Sequence, residues 1–314
     1  MSATGHLGGY HAACRRARSR YTAQQPRHLR VKEAFRRMLT IEIAFALLFG
    51  LALGSFLNVC ISRLPRHQSI VQPPSHCPRC NARIAARDNI PLVSFLLLRG
   101  HCRNCHQRIA WRYPFVEAAV AVLTVGNILF SGFSVDGVAF TLFCALLLAL
   151  AVCDAETMQL PDTLTLPLLA LGILYRATDG FVGELHHGAA YAWHSALLLG
   201  LRGSISAAAT ALALLLLGWL YSLVRHRQGI GLGDVKLAAA IAAWLGARQM
   251  CVVFFLAVVT GALTALAVLA LRNRKTDTSQ GPLAVPFGTF LALAGIFCAF
   301  LGDATLQWYL SFFP

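Results

Sequence analysis

The sequence predicts an all-α protein that crosses a membrane about eight times and carries a small zinc-binding loop domain between its first and second spans. Of the 314 residues, 57% are hydrophobic and 13% are charged, whereas soluble domains carry roughly 25% charged residues. The mean hydropathy is +0.62, and the apolar residues fall into separate runs suited to membrane helices. Four cysteines form two closely spaced pairs within one polar loop.

The amino-terminal segment differs from the rest of the chain. Residues 1–40 contain nine Lys and Arg residues and one acidic residue without apolar periodicity, so we expect a basic disordered leader. The segment lacks the charged, apolar and small-residue layout of a cleaved signal peptide. A targeting extension and a start codon assigned too far upstream both stay open, because Met38 begins a segment typical of a natural amino terminus.

The apolar runs divide the chain into predicted spans. The first covers residues 41–61, a polar loop covers 62–112, and residues 113–314 form the transmembrane core. The predicted spans of that core are 113–130, 138–153, 164–174, 205–224, 235–245, 250–271 and a last run that ends near Leu301. Residues 175–203 are too polar to span, so we expect an outside loop there.

The charge of the loops predicts the orientation of the chain. With the amino terminus outside, the inside loops are 62–112, 154–162, 225–233 and 272–285. These hold most of the Lys and Arg residues outside the leader, as the positive-inside rule requires. The basic leader contradicts this orientation, but a misassigned start would remove the conflict. Asp154 and Asp234 then both lie at the cytoplasmic face.

Two aspartates stand where an apolar run meets a polar segment. Asp154 closes one run, and Asp234 opens another after Gly231 and Gly233. Because an acidic group at membrane depth is costly, it is kept where it is used or paired. We predict that the two side chains face each other, share a proton and perform acid/base chemistry on water and a carbonyl. The positive end of the following helix should favour the ionised form of Asp234.

The sequence allows more than one role for the residues around this pair. Gly231 and Gly233 would let a substrate strand lie close to the backbone, and Lys236 is a further candidate for substrate contact. Either aspartate alone could simply cap or end a helix. Capping is the favoured role for Asp162, which precedes an apolar run, and Glu156 is expected to be solvated.

The paired cysteines predict a metal site. Cys77 and Cys80 are separated by 21 residues from Cys102 and Cys105, and two such knuckles suit tetrahedral zinc held by four thiolates. Four protein ligands leave no open position, so the zinc would be structural. Two disulfides are the competing interpretation, which a reducing cytoplasmic loop disfavours. Flanking histidines could substitute as ligands, although solvated roles are favoured: His76, His101 and His106.

Two other functions fit parts of the pattern. A proton- or ion-coupled transporter could use Asp154 and Asp234 as a relay, but it would not need a zinc knuckle domain. A membrane-tethered zinc ribbon could bind nucleic acid through the nine arginines of residues 61–112. That loop offers mainly Phe95 and Trp111 for base stacking, so we expect no nucleic-acid partner.

Seven motifs in a fixed order add a family resemblance. They are Gly54–Val59, the cysteine pairs, Asn89–Ser94, Arg112–Glu117, Asp154–Asp162, Gly231–Asp234 and Pro286–Gly288. Over roughly residues 42–303 they resemble the bacterial type IV prepilin peptidases, or type IV leader peptidases, a group of GxGD aspartyl proteases. The resemblance implies that Asp154 and Asp234 are the catalytic pair. It also implies a bacterial inner-membrane enzyme that cuts prepilins or pseudopilins after Gly on the cytoplasmic side, for pilus biogenesis or type II secretion.

The same resemblance implies a second activity. Many members of the family N-methylate the new amino terminus with S-adenosylmethionine, which would make this chain a bifunctional peptidase and methyltransferase. Gly100 and Glu117, close to the cysteine pairs, are candidates for methyl transfer, although Glu117 also suits a role at a helix start. The sequence leaves open the cofactor's position, the choice between pilins and pseudopilins, and the oligomeric state.

Overall fold

The computed structural model describes residues 38–226, 229–272 and 285–312, and it is helical nearly throughout. In chain order the helices are α1 (Met38–Arg66), α2 (Val93–Leu97), α3 (Arg112–Ser131), α4 (Val135–Thr157), α5 (Asp162–Glu184), α6 (Ala189–Arg225), α7 (Leu232–Leu245), α8 (Ala247–Arg272) and α9 (Phe287–Leu310). These ranges contain no β-strand, only isolated bridges between His76 and Arg83 and between His101 and Arg108. The all-α prediction is therefore confirmed. Residues 1–37 of the predicted leader lie outside the described residues, and residues 38–40 belong to α1.

Six of these helices are long and apolar enough to cross a membrane: α1, α3, α4, α6, α8 and α9. The chain is a multi-pass membrane protein, but the predicted count of eight spans is not confirmed. Helix α7 has 14 residues, which at 1.5 Å per residue give about 21 Å, less than the ~30 Å hydrocarbon core. Helix α5 is long enough but carries charged residues at both ends and along its second half.

The outside loop predicted over 175–203 is wrong. Helix α5 continues to Glu184, and α6 begins at Ala189 after a short turn, so most of this stretch is helical. The two helices pack closely because small residues meet along them. A side chain at Gly180 would lie 2.7 Å from the carbonyl oxygen of Ser195. Hydropathy alone does not predict this close packing, because the stretch also contains histidines and charged residues.

Helix α7 is the innermost helix of the bundle. Its residues from Leu237 to Leu245 are all buried, and it packs against α5, α6, α8 and α9. Trp244 fixes its depth, since the indole N–H donates to the carbonyl oxygen of Leu168 in α5 at 2.8 Å. The same ring lies against Gly172, Tyr175 and Phe143. This packing gives Asp234, in the first turn of α7, a fixed position in the bundle.

Gly172 provides a test of this packing. A Cβ at Gly172 would lie 2.5 Å from the Trp244 ring, whereas a Cβ at Gly183 in the same helix meets nothing within 4 Å. We expect Gly172→Ala to destabilise the protein by about 1–3 kcal/mol through overpacking, measured by thermal unfolding in detergent. Gly183→Ala is the matched control and should melt at or above the wild-type temperature. Equal melting temperatures for the two variants would contradict the packing described.

Candidate active site

Asp154 lies in the last turn of α4 and is held by the start of α9. Only 5% of its surface is exposed. Its Oδ2 accepts a hydrogen bond from the backbone N–H of Thr289 at 2.7 Å. The Thr289 hydroxyl shares its one proton between Asp154 Oδ2 at 3.1 Å and the carbonyl oxygen of Ala151 at 3.0 Å. The first N–H groups of a helix lack partners within the helix and form its positive end. The start of α9 therefore stabilises a negative charge on Asp154.

Gly288 lets α9 approach the aspartate. A Cβ at this position would lie 3.0 Å from Asp154 Oδ2, so any other residue would crowd the carboxylate. The sequence alone predicts no role for Thr289. The adjacent motif Pro286–Gly288, which is part of the family resemblance, is the feature that indicates this part of the chain.

Asp234 lies in the first turn of α7 and is only partly buried. The residue that caps the helix is Gly231, and no side-chain capping hydrogen bond is formed there. Within the described ranges, no hydrogen-bond partner is found for the Asp234 side chain. One side chain, Leu160, contacts the starts of both α7 and α9, next to the two aspartates. The two helix ends predicted from sequence therefore lie in one site, with one carboxylate held by hydrogen bonds and the other free of them.

Leu160, in the link between α4 and α5, fills the space between the starts of α7 and α9. A Cβ at Gly233 would lie 3.3 Å from Leu160, and a Cβ at Gly288 would lie 3.0 Å from it. Gly231 lies beside the other carboxylate, since its Cβ would be 3.4 Å from Asp234 Oδ2. Small residues thus surround the aspartates and keep the backbone accessible.

Lys236 and Asp162 form an ion pair next to this site. The Nζ atom of Lys236 donates to both carboxylate oxygens of Asp162 at 2.8 Å. The prediction that Asp162 caps α5 is wrong, because Pro161 occupies the cap position and no side chain makes a capping bond. An exposed pair adds little stability. The ion pair instead holds the start of α5 against the start of α7.

The four predicted metal ligands come together in the loop between α1 and α3. The sulfur atoms of Cys77, Cys80, Cys102 and Cys105 all lie within 4.8 Å of one another. Cys77 Sγ and Cys105 Sγ are 3.8 Å apart, the separation of about 3.8 Å expected for tetrahedral zinc with Zn–S bonds of ~2.3 Å. All four cysteines are free thiols rather than disulfides. The predicted convergence is confirmed, and the identity of the metal stays a prediction.

The local chemistry of the cluster suits a metal. Hydrogen bonds from the Ala82 backbone and the Asn104 side chain lower the pKa of the Cys80 thiol to about 6, which favours the thiolate that metals bind. Burial and the neighbouring cysteines raise the pKa of the Cys105 thiol to about 11, so the pKa shift favours a metal ligand at Cys80 and not at Cys105. The histidines are not needed as ligands. The Nδ1 atoms of His76 and His101 lie 3.1 Å and 2.7 Å from the carbonyl oxygens of Pro74 and Arg99.

Glu117 and Gly100, the residues singled out for methyl transfer, have different surroundings. Glu117 is 8% exposed, and its Oε2 accepts a hydrogen bond from the backbone N–H of Leu92 at 2.8 Å. It therefore joins α3 to the cysteine loop and plays no part in starting a helix. Gly100 has φ +71°, a left-handed conformation that favours glycine, and it packs on the Phe95 ring.

Glu156 is exposed to solvent, as expected, and it also has a partner. Its Oε2 accepts a hydrogen bond from Arg112 Nη1 at 2.5 Å, which joins the end of α4 to the start of α3. The side chain is 42% exposed, so it is both paired and accessible to solvent.

The fold and site define a class: a multi-pass helical membrane protein with two acidic side chains at adjoining helix ends and a four-thiol cluster in a loop. Residues 48–130 match the family described as "Bacterial Peptidase A24 N-terminal domain". Residues 141–266 match the "Type IV leader peptidase family". The chain belongs to the type IV leader peptidase family.

Relatives agree with this assignment over nearly the whole chain. A protein of Aeromonas hydrophila named "Prepilin leader peptidase/N-methyltransferase" is 36% identical over 297 residues, covering 87% of this chain and 95% of the relative. Proteins of the same name from Pseudomonas aeruginosa and Legionella pneumophila are 35% and 34% identical, covering 86% and 84% of this chain and 95% and 93% of the relatives. No solved structure matches the chain significantly.

Removing one thiol tests the metal site. We expect purified wild-type protein to contain about one zinc ion per chain and Cys77→Ser to contain close to none, because a tetrahedral structural site needs all four ligands. Elemental analysis of the detergent-purified protein measures this. Cys251→Ser, which alters an exposed cysteine outside the cluster, should keep its metal. Unchanged zinc in Cys77→Ser would refute the assignment.

Proposed function

We propose that this protein is a prepilin leader peptidase and N-methyltransferase, with Asp154 and Asp234 as its catalytic pair. The observation that carries the proposal is the packing of α9 against both α4 and α7, which places the two aspartates beside Leu160 and next to glycine-lined backbone. Membership of the type IV leader peptidase family and the names of its relatives support the activity.

The unequal surroundings of the two acids suggest their roles. Asp154 accepts two hydrogen bonds from Thr289, which favour its ionised form and suit it to take a proton from the attacking water. Among the residues that the structure describes, no donor reaches Asp234, which also lies in the field of the charge on Asp154, so it is the better holder of the shared proton. It would donate that proton to the carbonyl oxygen of the scissile bond. This assignment reverses the expectation that Asp234 is the ionised partner.

The substrate would reach the acids where the helices begin. Gly231 and Gly233 leave the backbone open for an extended leader segment, as the sequence predicts. Lys236 already contacts Asp162, so its part is better described as holding the start of α5 against α7. Leu160, between Gly233 and Gly288, would line the path of the substrate.

The proposal includes a location and two bound groups. The arginine-rich loop 62–112 favours an active site on the cytoplasmic side of the bacterial inner membrane, where reduced thiols persist. The four cysteines would hold zinc that fixes the loop structure. S-adenosylmethionine would supply the methyl group for the new amino terminus. The substrates would be prepilins or pseudopilins that carry a leader ending in Gly.

Two substitutions test the catalytic pair. We expect Asp154→Asn and Asp234→Asn each to lower prepilin cleavage in detergent by about a thousandfold or more, as loss of a catalytic group does. An ion-relay role would leave cleavage unaffected in both variants.

The controls use the same substitution at positions away from the pair. Asp136→Asn alters the opposite end of α4, where the carboxylate accepts a hydrogen bond from Tyr175, and Asp162→Asn removes the Lys236 ion pair. Both should retain most of the cleavage, measured as the rate of leader removal on gels. Full activity of either catalytic-pair variant would disprove the proposal.

A further inference from the structure

The side chain of Leu160 occupies the space beside the two aspartates. Gly288 marks this space, because a Cβ built on it would lie 3.0 Å from both Leu160 Cδ1 and Asp154 Oδ2. The leucine methyl group is therefore a near neighbour of the carboxylate. We infer that Leu160 determines specificity at the scissile bond by admitting only a residue without a side chain immediately before it. The inference rests on the proposed function and names the residue that sets its choice of cleavage site.

Leu160 also limits the space on the side of Asp234. A Cβ at Gly233, the residue before Asp234 in α7, would lie 3.3 Å from both Cβ and Cδ1 of Leu160. The distances at Gly233 and Gly288 are both shorter than the ordinary van der Waals contacts of a Cβ, 3.4–4 Å. One leucine thus closes the space next to each aspartate to an additional methyl group.

The segment that carries Leu160 is held at both of its ends. Before it, α4 ends at Met158 in a left-handed conformation with φ 52°, and the Met158 N–H donates to the carbonyl oxygen of Asp154 at 2.8 Å. After it, the carbonyl oxygen of Pro161 accepts from the backbone N–H and the hydroxyl of Thr165 at 3.1 Å and 2.9 Å. Leu160 itself packs against the core of the bundle. A side chain held in this way resists displacement by a substrate.

The stereochemistry of a peptide decides which substrate residue meets Leu160. Cleavage requires the scissile carbonyl group to come within hydrogen-bond reach of the acids, about 3 Å. A Cβ on the residue before the bond is separated from the carbonyl carbon by the Cα alone, so it arrives at the same place. A Cβ on the residue after the bond is farther away, because the amide nitrogen also lies between them and the planar trans amide directs the two residues apart. A methyl group before the bond therefore collides with Leu160 first.

Two prepilins that differ only in the residue before the scissile bond, glycine or alanine, test the inference with the full chain in detergent. The measurement is the ratio of kcat/KM for the two substrates, which does not depend on the amount of folded enzyme. We expect the wild type to favour glycine and Leu160→Ala to reduce that preference at least about tenfold, because room for one methylene-sized group is worth roughly 10–200-fold. The change should come from faster cleavage of the alanine substrate.

Two control variants separate specificity from stability. Leu168→Ala also truncates a buried leucine, one whose backbone contacts Trp244 away from the aspartates. It should lower the melting temperature and leave the ratio unchanged. Leu160→Met conserves volume and should keep the preference of the wild type. If Leu160→Ala fails to fold, Leu160→Val decides the matter, since its shorter side chain should shift the ratio in the same direction by a smaller factor.

A third prepilin, changed only in the residue after the scissile bond, distinguishes the two sides of that bond. An unchanged glycine preference in a folded Leu160→Ala overturns the inference, as does a variant that gains tolerance only for the third substrate. A wild type that cleaves the glycine and alanine substrates equally well overturns it too. A wild type that cleaves none of the three would instead count against the proposed function.

Discussion

The contact between Asp154 and Thr289 is the interaction on which the site depends. It joins residues 135 positions apart, and it fixes the end of α4 against the start of α9. Helix α7 packs beside α9 within the bundle and brings Asp234 to the same place. A buried carboxylate needs donors to remain charged. The backbone and hydroxyl of one threonine provide them here, and Gly288 leaves the room for them.

Burial differs widely among the candidate membrane spans. In α4, 61% of the apolar stretch is buried, against 11% in α6 and α8. The helix that carries Asp154 is therefore closely packed, whereas α6 and α8 present most of their surface outward. The loop region is joined to this framework by Glu117 and by the Arg112–Glu156 pair. These contacts hold the cysteine loop against the bundle.

The sequence predicted features that depend on local pattern and missed those that depend on long-range contact. Apolar runs located α3, α4 and α8 closely, and cysteine spacing located the thiol cluster. The loop predicted from hydropathy over 175–203 is wrong, because this polar sequence is helical and packs closely against α6 at Gly180. The partners of Asp154, Asp162 and Glu156 could not be predicted, since each lies on a distant element and no local rule selects it.

The central claim is that the start of α9 holds Asp154 ready for catalysis, and Thr289→Val tests it most directly. The substitution keeps the side chain's size and the backbone donor and removes the hydroxyl, which is shared between Asp154 and the carbonyl oxygen of Ala151. A hydrogen bond to a charged group contributes about 1.5–3 kcal/mol, so the account predicts prepilin cleavage at least about tenfold slower. Thr264→Val, which loses only a bond to Thr260 within α8, should cleave normally. Wild-type cleavage by Thr289→Val, with the protein folded, would contradict the account.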